Sequence, residues 1–357
     1  MVDKRWAAAA GLSAIMVTAA ACGSSGNGSS GSSTGASSSS SAGSTSAASI
    51  NLGVYCASTC RQQLALHTSP SSVKCKVAFL DDATSFPYGA TQYQEAQKYA
   101  RKYFPGMSLT VQNGNNDPVA QSQQLNTVVA QGYKVVILDP VVSDALVPAT
   151  KKAEAAGVKI VDIDRTVNTP VQTIIKAPDV PLGAREAQYV ASQLHGHGTV
   201  AILSGTPGAS PTIDRTQGIM SVLKHYPGIH VVSNVNGNYD TNQSYTAVTN
   251  LLTRYPKGQL NWIISEADVM SLGAIKALQG AHRTDVKLAS IDGQNQGLQA
   301  VQAGQMQADV VYPVVQPAAE VAAAKVCAGE SVASQVALLY PLVTKANVST
   351  YLGTNFG

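Results

Sequence analysis

At 357 residues the chain is too long for one small domain, and a usual domain length of ~150 residues points to two. Charged residues make up only 13% and sum to a net +3, with 24 Lys plus Arg against 21 Asp plus Glu, which removes the electrostatic basis for binding nucleic acid. Hydrophobic residues reach 45%, yet beyond the first two dozen residues no apolar run approaches the roughly 20 residues of a membrane-spanning helix.

The first segment is a targeting signal. Lys4 and Arg5 give it a positive start, and Trp6 to Ala21 is an apolar, small-residue run, so residues 1–21 read as a signal peptide. Val17-Thr18-Ala19-Ala20-Ala21-Cys22 resembles the lipobox of bacterial lipoproteins, which makes Cys22 the expected lipidation site. Gly23 to Ser49 holds 14 Ser and 6 Gly among 27 residues and has no apolar period, so residues 22–49 are expected to form a tether. Its root-mean-square reach is about 30 Å. Membrane contact is expected through this lipid anchor alone, at the outer face of the cytoplasmic membrane in the cell envelope.

Residues 50–75 form a cysteine-containing extension. With Cys22 assigned to lipid, Cys56, Cys60, Cys75 and Cys327 remain, an even number in an exported chain, so two disulfides are expected. The sequence leaves all three pairings open. Cys56-x-x-x-Cys60 with His67 is a poor match to zinc spacings, and no metal is expected. Gly53 to Cys75 shows no clear strand or helix pattern.

From Lys76 onward short β-rich runs alternate with helical periods. Strands are predicted at KVAFLD from Lys76, SLTVQ from Ser108, KVVILDP from Lys134, KIVDID from Lys159, TVAILSG from Thr199, HVVSNV from His230, NWIISEA from Asn261, KLASIDG from Lys287 and ADVVYP from Ala308. Val135 to Leu138 is continuously apolar, as a strand buried on both faces must be. Asp117 followed by Pro118 is a helix start, and Gly132 closes that helix. This alternation predicts an α/β fold of two doubly wound parallel-sheet lobes, with ligand chemistry outside the carboxyl ends of the strands. There the sequence carries Asp81, Asp82, Asp139, Asp164, Arg165, Glu266, Asp268 and Asp292.

Within this alternating body neither G-x-G-x-x-G nor G-x-x-x-x-G-K-[ST] occurs, which removes dinucleotide and P-loop enzymes, and no cofactor is expected. The body also lacks a G-x-S-x-G elbow. Converging strand-end carboxylates leave glycoside hydrolysis open in principle, but the set suits a neutral polyhydroxylated ligand better. Carboxylates accept from hydroxyls, Arg165 or Arg215 donates in pairs, and aromatic faces cover C–H surface.

The stretch from Asn116 to Arg165, NDPVAQSQQLNTVVAQGYKVVILDPVVSDALVPATKKAEAAGVKIVDIDR, is similar to the sugar-binding periplasmic proteins of the ribose-binding type, which serve ABC importers. TVAILSGTPGASPTIDRTQGI from Thr199, YPGIHVV from Tyr226, DVMSLGAIKAL from Asp268, SIDG from Ser290 and AGQMQADVVYP from Ala303 follow in the family's order. The resemblance implies two lobes, residues 76–178 plus 313–340 and residues 179–312 plus 341–357, joined by a three-segment hinge and closing on ligand. Repressors that share the fold carry a DNA-binding helix-turn-helix where this chain has its signal segment.

Carried over by motif, the resemblance implies ligand contacts from Asp164 and Arg165, from Arg215, from Asp292, and from Asp82 as a first polar contact. Aromatic walls are expected from Phe86, Tyr88 and Tyr239. Phe86 replaces an Asn of the ribose-type motif, Ala267 replaces the Asn that usually precedes Asp268, and Tyr312 takes the place of a hinge-side Gln. These departures argue against ribose and toward another small sugar or a polyol. The expected protein is a monomeric, non-enzymatic binding lipoprotein whose partners are that ligand, an ABC permease and its ATPase. A receptor presenting its ligand to a membrane sensor is the alternative, and a secreted carbohydrate-active enzyme is the third class.

Overall fold

The computed structural model describes residues 50–357. The signal peptide, Cys22 and the tether lie outside the described residues. The described residues form two six-stranded sheets. The first holds β1 (Cys75–Asp81), β2 (Met107–Asn113), β3 (Val135–Leu138), β4 (Lys159–Ile163), β5 (Thr173–Lys176) and β11 (Gln335–Ala337), in the order β11-β5-β4-β3-β1-β2. The second holds β6 (His197–Ser204), β7 (Gly228–Asn236), β8 (Trp262–Ser265), β9 (Lys287–Asp292), β10 (Ala308–Val311) and β12 (Leu342–Thr344), in the order β12-β10-β9-β8-β6-β7. Every pairing is parallel except that of β12 with β10. Both lobes are doubly wound α/β layers, as the alternation of strands and helices implies.

The central strands of each sheet are buried on both faces because they are apolar on both. In the first sheet Val77, Phe79, Val135, Ile137, Val161 and Ile163 point into one core, and Ala78, Leu80, Val136, Leu138 and Ile160 into the other. In the second, Ala201, Leu203, Ile263 and Leu288 face one side, and Val200, Ile202, Ile264 and Ala289 the opposite one. Burying one such large side chain contributes about 1.5–3 kcal/mol, so both layers are strongly held to their helices.

The helices are α1 (Ser58–Gln63), α2 (Pro87–Tyr103), α3 (Pro118–Ala130), α4 (Val147–Ala155), α5 (Asp179–Gln193), α6 (Ser210–Leu223), α7 (Thr241–Arg254), α8 (Asp268–Gly280), α9 (Asn295–Ala303) and α10 (Ala318–Cys327). Asp117 caps α3 as the sequence implies, accepting from the Val119 and Ala120 amides at 2.8 and 3.2 Å. The chain passes between the sheets three times: after β5, after β10, and between β11 and β12.

The extension is more ordered than its sequence suggests, with α1 and a 3-10 turn at Pro70–Ser72. Cys56 bonds Cys60, and Cys75 bonds Cys327. Tyr55 packs into the core of the second sheet, whereas Cys56, Cys60 and Leu64 pack into the core of the first. The extension therefore spans the hinge, where the Tyr55 carbonyl accepts the Leu339 amide at 2.8 Å.

Candidate functional site

The carboxyl ends of the parallel strands of the two sheets face one another across a cleft lined by charged and aromatic side chains. Its lining includes Asp82, Phe86, Tyr88, Asp164 and Arg165 from the first lobe and Arg215, Tyr239, Asp292 and Tyr312 from the second. Those are the nine residues marked from the sequence, and the fold brings them to one place. Val269, Gln294 and Phe356 also line the cleft and were not marked.

Each guanidinium is already committed inside the protein. Nη2 of Arg165 lies 2.6 Å from Asp82 Oδ2, its Nη1 donates to the Val141 carbonyl at 3.1 Å, and Asp164 Oδ2 stands 3.8 Å from its Nε. Arg215 donates through Nε to Asp179 Oδ1 at 2.8 Å, and through Nη1 to the Glu266 carbonyl at 2.5 Å and to Asp292 Oδ1 at 3.4 Å. The ring of Tyr312 lies under the Arg215 guanidinium, 4.8 Å from it.

Burial sets the protonation of the carboxyls. Desolvation pushes Asp82 up to about 6 against the pull of Arg165. Desolvation likewise raises Asp292 well above the carboxylate range, with Arg215 opposing it. Glu266, desolvated to about 7, accepts the Gly205 amide at 2.9 Å and the Thr216 hydroxyl. Asp81, Asp82 and Asp139 bring carboxylate oxygens within 4.8 Å of one another, but the Arg165 guanidinium already supplies the cation there.

Backbone geometry aims these groups. Asp164 and Tyr239 have φ of 55° and 53°, and Asp292 has φ of 138°, conformations that cost a non-glycine residue energy and collect at ligand sites. The Asp292 turn is held from below, since Asp309 Oδ1 accepts the Gly293 amide at 3.0 Å and Asp268 Oδ2 the Gln294 amide at 2.8 Å. Gly205 makes room for Tyr239: a Cβ there would stand 2.1 Å from the Tyr239 ring. That ring also belongs to the second lobe's core, and its hydroxyl pairs with Thr212 Oγ1 at 3.0 Å.

The lobes touch around the ligand space. The Thr166 amide donates to Ser210 Oγ at 2.9 Å, the Ser143 amide to the Gly208 carbonyl at 3.3 Å, and Phe86 meets Tyr239 edge-on with centroids 6.2 Å apart. Ala267, 2% exposed at the N-cap of α8, lines the cleft with a methyl group and no polar side-chain atom. The arrangement can enclose a small molecule, donate and accept at several hydroxyls, and cover apolar faces with rings.

Two parallel-sheet lobes closing over a lined cleft define a solute-binding protein. The family model of the periplasmic binding protein domain matches residues 77–330, and the chain belongs to that family. It is 31% identical to a xylitol-binding protein of Mycolicibacterium smegmatis over 68% of this chain and 70% of that protein. It is 28% identical to a ribose import binding protein of Escherichia coli over 76% of this chain and 91% of that one. Among solved structures, an ABC transporter periplasmic solute-binding protein of Actinobacillus succinogenes with bound D-allose superposes with a TM-score of 0.71 at 26% identity, covering 78% of this chain and all of that one.

Proposed function

We propose that this protein captures a small neutral sugar or polyol between its lobes and delivers it to an ABC permease from the outer face of the cytoplasmic membrane, held there by lipid on Cys22. The observation that carries the reading is the internal pairing of both guanidiniums, Arg165 with Asp82 and Arg215 with Asp179. Among the described residues that line the cleft, both cations already face internal carboxylates, which disfavours an anionic ligand, whereas the remaining donors and acceptors suit hydroxyls. The names of the relatives, xylitol, ribose and allose binders, fall in the same chemical class. Binding proteins rather than enzymes make up those relatives, which supports a non-catalytic role.

A thermal-shift screen over pentoses, hexoses, deoxysugars and polyols tests the ligand class. Ligand at 100 times its Kd adds about 2.7 kcal/mol of stability, a clear rise in Tm. A screen in which sugar phosphates or sugar acids raise Tm and neutral compounds do not removes the reading. Detergent partitioning of the full chain tests the anchor, with Cys22→Ala expected to move the protein to the aqueous phase.

A further inference from the structure

After β12 the chain returns to the cleft. Phe356 is 3% exposed and lines the ligand space, meeting Tyr88 of the opposite lobe edge-on with centroids 5.3 Å apart and planes at 84°. Its carbonyl accepts the Asn295 amide at 2.7 Å, and Asn295 Nδ2 donates to the Gly357 carbonyl at 2.8 Å. Asn355 uses its whole side-chain amide on the hinge. Nδ2 donates to the carbonyls of Asp292 at 2.9 Å and Tyr312 at 3.0 Å, and Oδ1 accepts the Val314 amide at 3.0 Å. Thr354 Oγ1 pairs with the Tyr55 hydroxyl at 2.6 Å. The segment is thus fixed on the backbone that carries Asp292 and Tyr312, with one ring pushed toward the ligand.

We propose that Phe356 is a specificity-determining residue, an apolar stop at the hinge end of the cleft that selects ligands presenting carbon rather than hydroxyl there. The proposal rests on the sugar or polyol reading above. The ring has no polar atom, so a hydroxyl buried against it would lose its water partners and gain none, whereas a methyl or C–H face packs on it. Asn355 is the positioning residue that keeps the ring in place as the lobes close.

The test is a calorimetric affinity profile of wild type, Phe356→Ala and Phe356→Leu over D-galactose and D-fucose, D-ribose and 5-deoxy-D-ribose, xylitol and myo-inositol, with Tm recorded for each variant. Wild type is expected to favour compounds with a deoxy end. In Phe356→Ala the tightest ligand should weaken at least tenfold and the ranking should change in favour of the more hydroxylated compounds. Phe356→Leu, which keeps an apolar stop and guards against a folding defect in the alanine variant, should keep the wild-type ranking. Affinities that stay unchanged, or fall by one common factor across the profile, overturn the specificity role while leaving the sugar reading standing. Failure of wild type to bind any of the six overturns the specificity role, and the wider thermal-shift screen decides the sugar reading separately.

Discussion

The hydroxyl of Tyr312 donates to the backbone carbonyl of Asp164 at 3.1 Å, joining the end of β10 in one lobe to the strained turn after β4 in the other. The Tyr312 phenol thus reaches across the hinge, and its ring also shelves the Arg215 guanidinium. Burial raises the Tyr312 phenol well above its usual range, so it stays a donor at alkaline pH.

Tyr312→Phe removes one interlobe hydrogen bond and keeps the ring. A net loss of about 0.5–1.5 kcal/mol should weaken ligand two- to tenfold, with little change in Tm of the ligand-free protein. Equal affinity in calorimetry would show that closure does not depend on this bond.

Asp292 accepts on both oxygens, from Arg215 at 3.4 Å and from the Asp268 amide at 3.2 Å. Asp292→Asn turns one acceptor into a donor facing a donor, and ligand should weaken by roughly ten- to a hundredfold. Arg215→Ala is a harsher change, since it leaves Asp179 and Asp292 buried with less compensation. Its expected cost of about 3–5 kcal/mol should appear as a lower Tm as well as lost binding.

Ala267→Asn places an amide at the start of α8. Its extended backbone, with φ of −162°, admits any residue, and α8 has no side-chain cap to lose. The affinity ratio of ribose to xylitol should rise in the variant, measured by competition. A ratio that stays constant would mean the new amide caps the helix instead of meeting the ligand.

Glu320 in α10 is fully buried, and neither carboxyl oxygen has a partner. Desolvation pushes it up to about 8 from an ordinary 4.5. The folded state therefore holds a proton that the unfolded state releases. The associated stability is complete below pH 4.5 and is lost as pH rises toward 8. Glu320→Gln should match wild type near pH 5 and be more stable at pH 8–9. A pH–Tm profile parallel to wild type would place the titration elsewhere.

The nine predicted strands were legible because short runs rich in β-branched and apolar residues alternate with helical periods, and three of them, Val77–Leu80, Val135–Leu138 and Val200–Leu203, are four apolar residues in a row. Three others were not. β11 and β12 have three residues each, and β5 has four, so their membership is decided by the neighbours they meet and not by their own pattern. The cleft residues at strand ends were legible for the same topological reason. Gln294 lies two residues past Asp292 and could have been found by extending that motif. Phe356 carried no sequence signal, since only the return of the chain after β12 brings it beside Tyr88. The sequence also gave no sign that Arg165 and Arg215 would be paired internally, which is what points to a neutral ligand.

The bond between Cys75 and Cys327 has a sequence separation of 252 residues, so it closes a ring that contains ten of the twelve strands. Any single peptide bond cut between those cysteines, in a cleft loop or a hinge segment, converts the ring to an open chain without releasing a fragment. In an extracytoplasmic compartment, where thiols stay oxidised, a nicked molecule keeps both walls of its cleft joined as in an intact one. Loss of a lobe then takes two events, a second cut or a reductant.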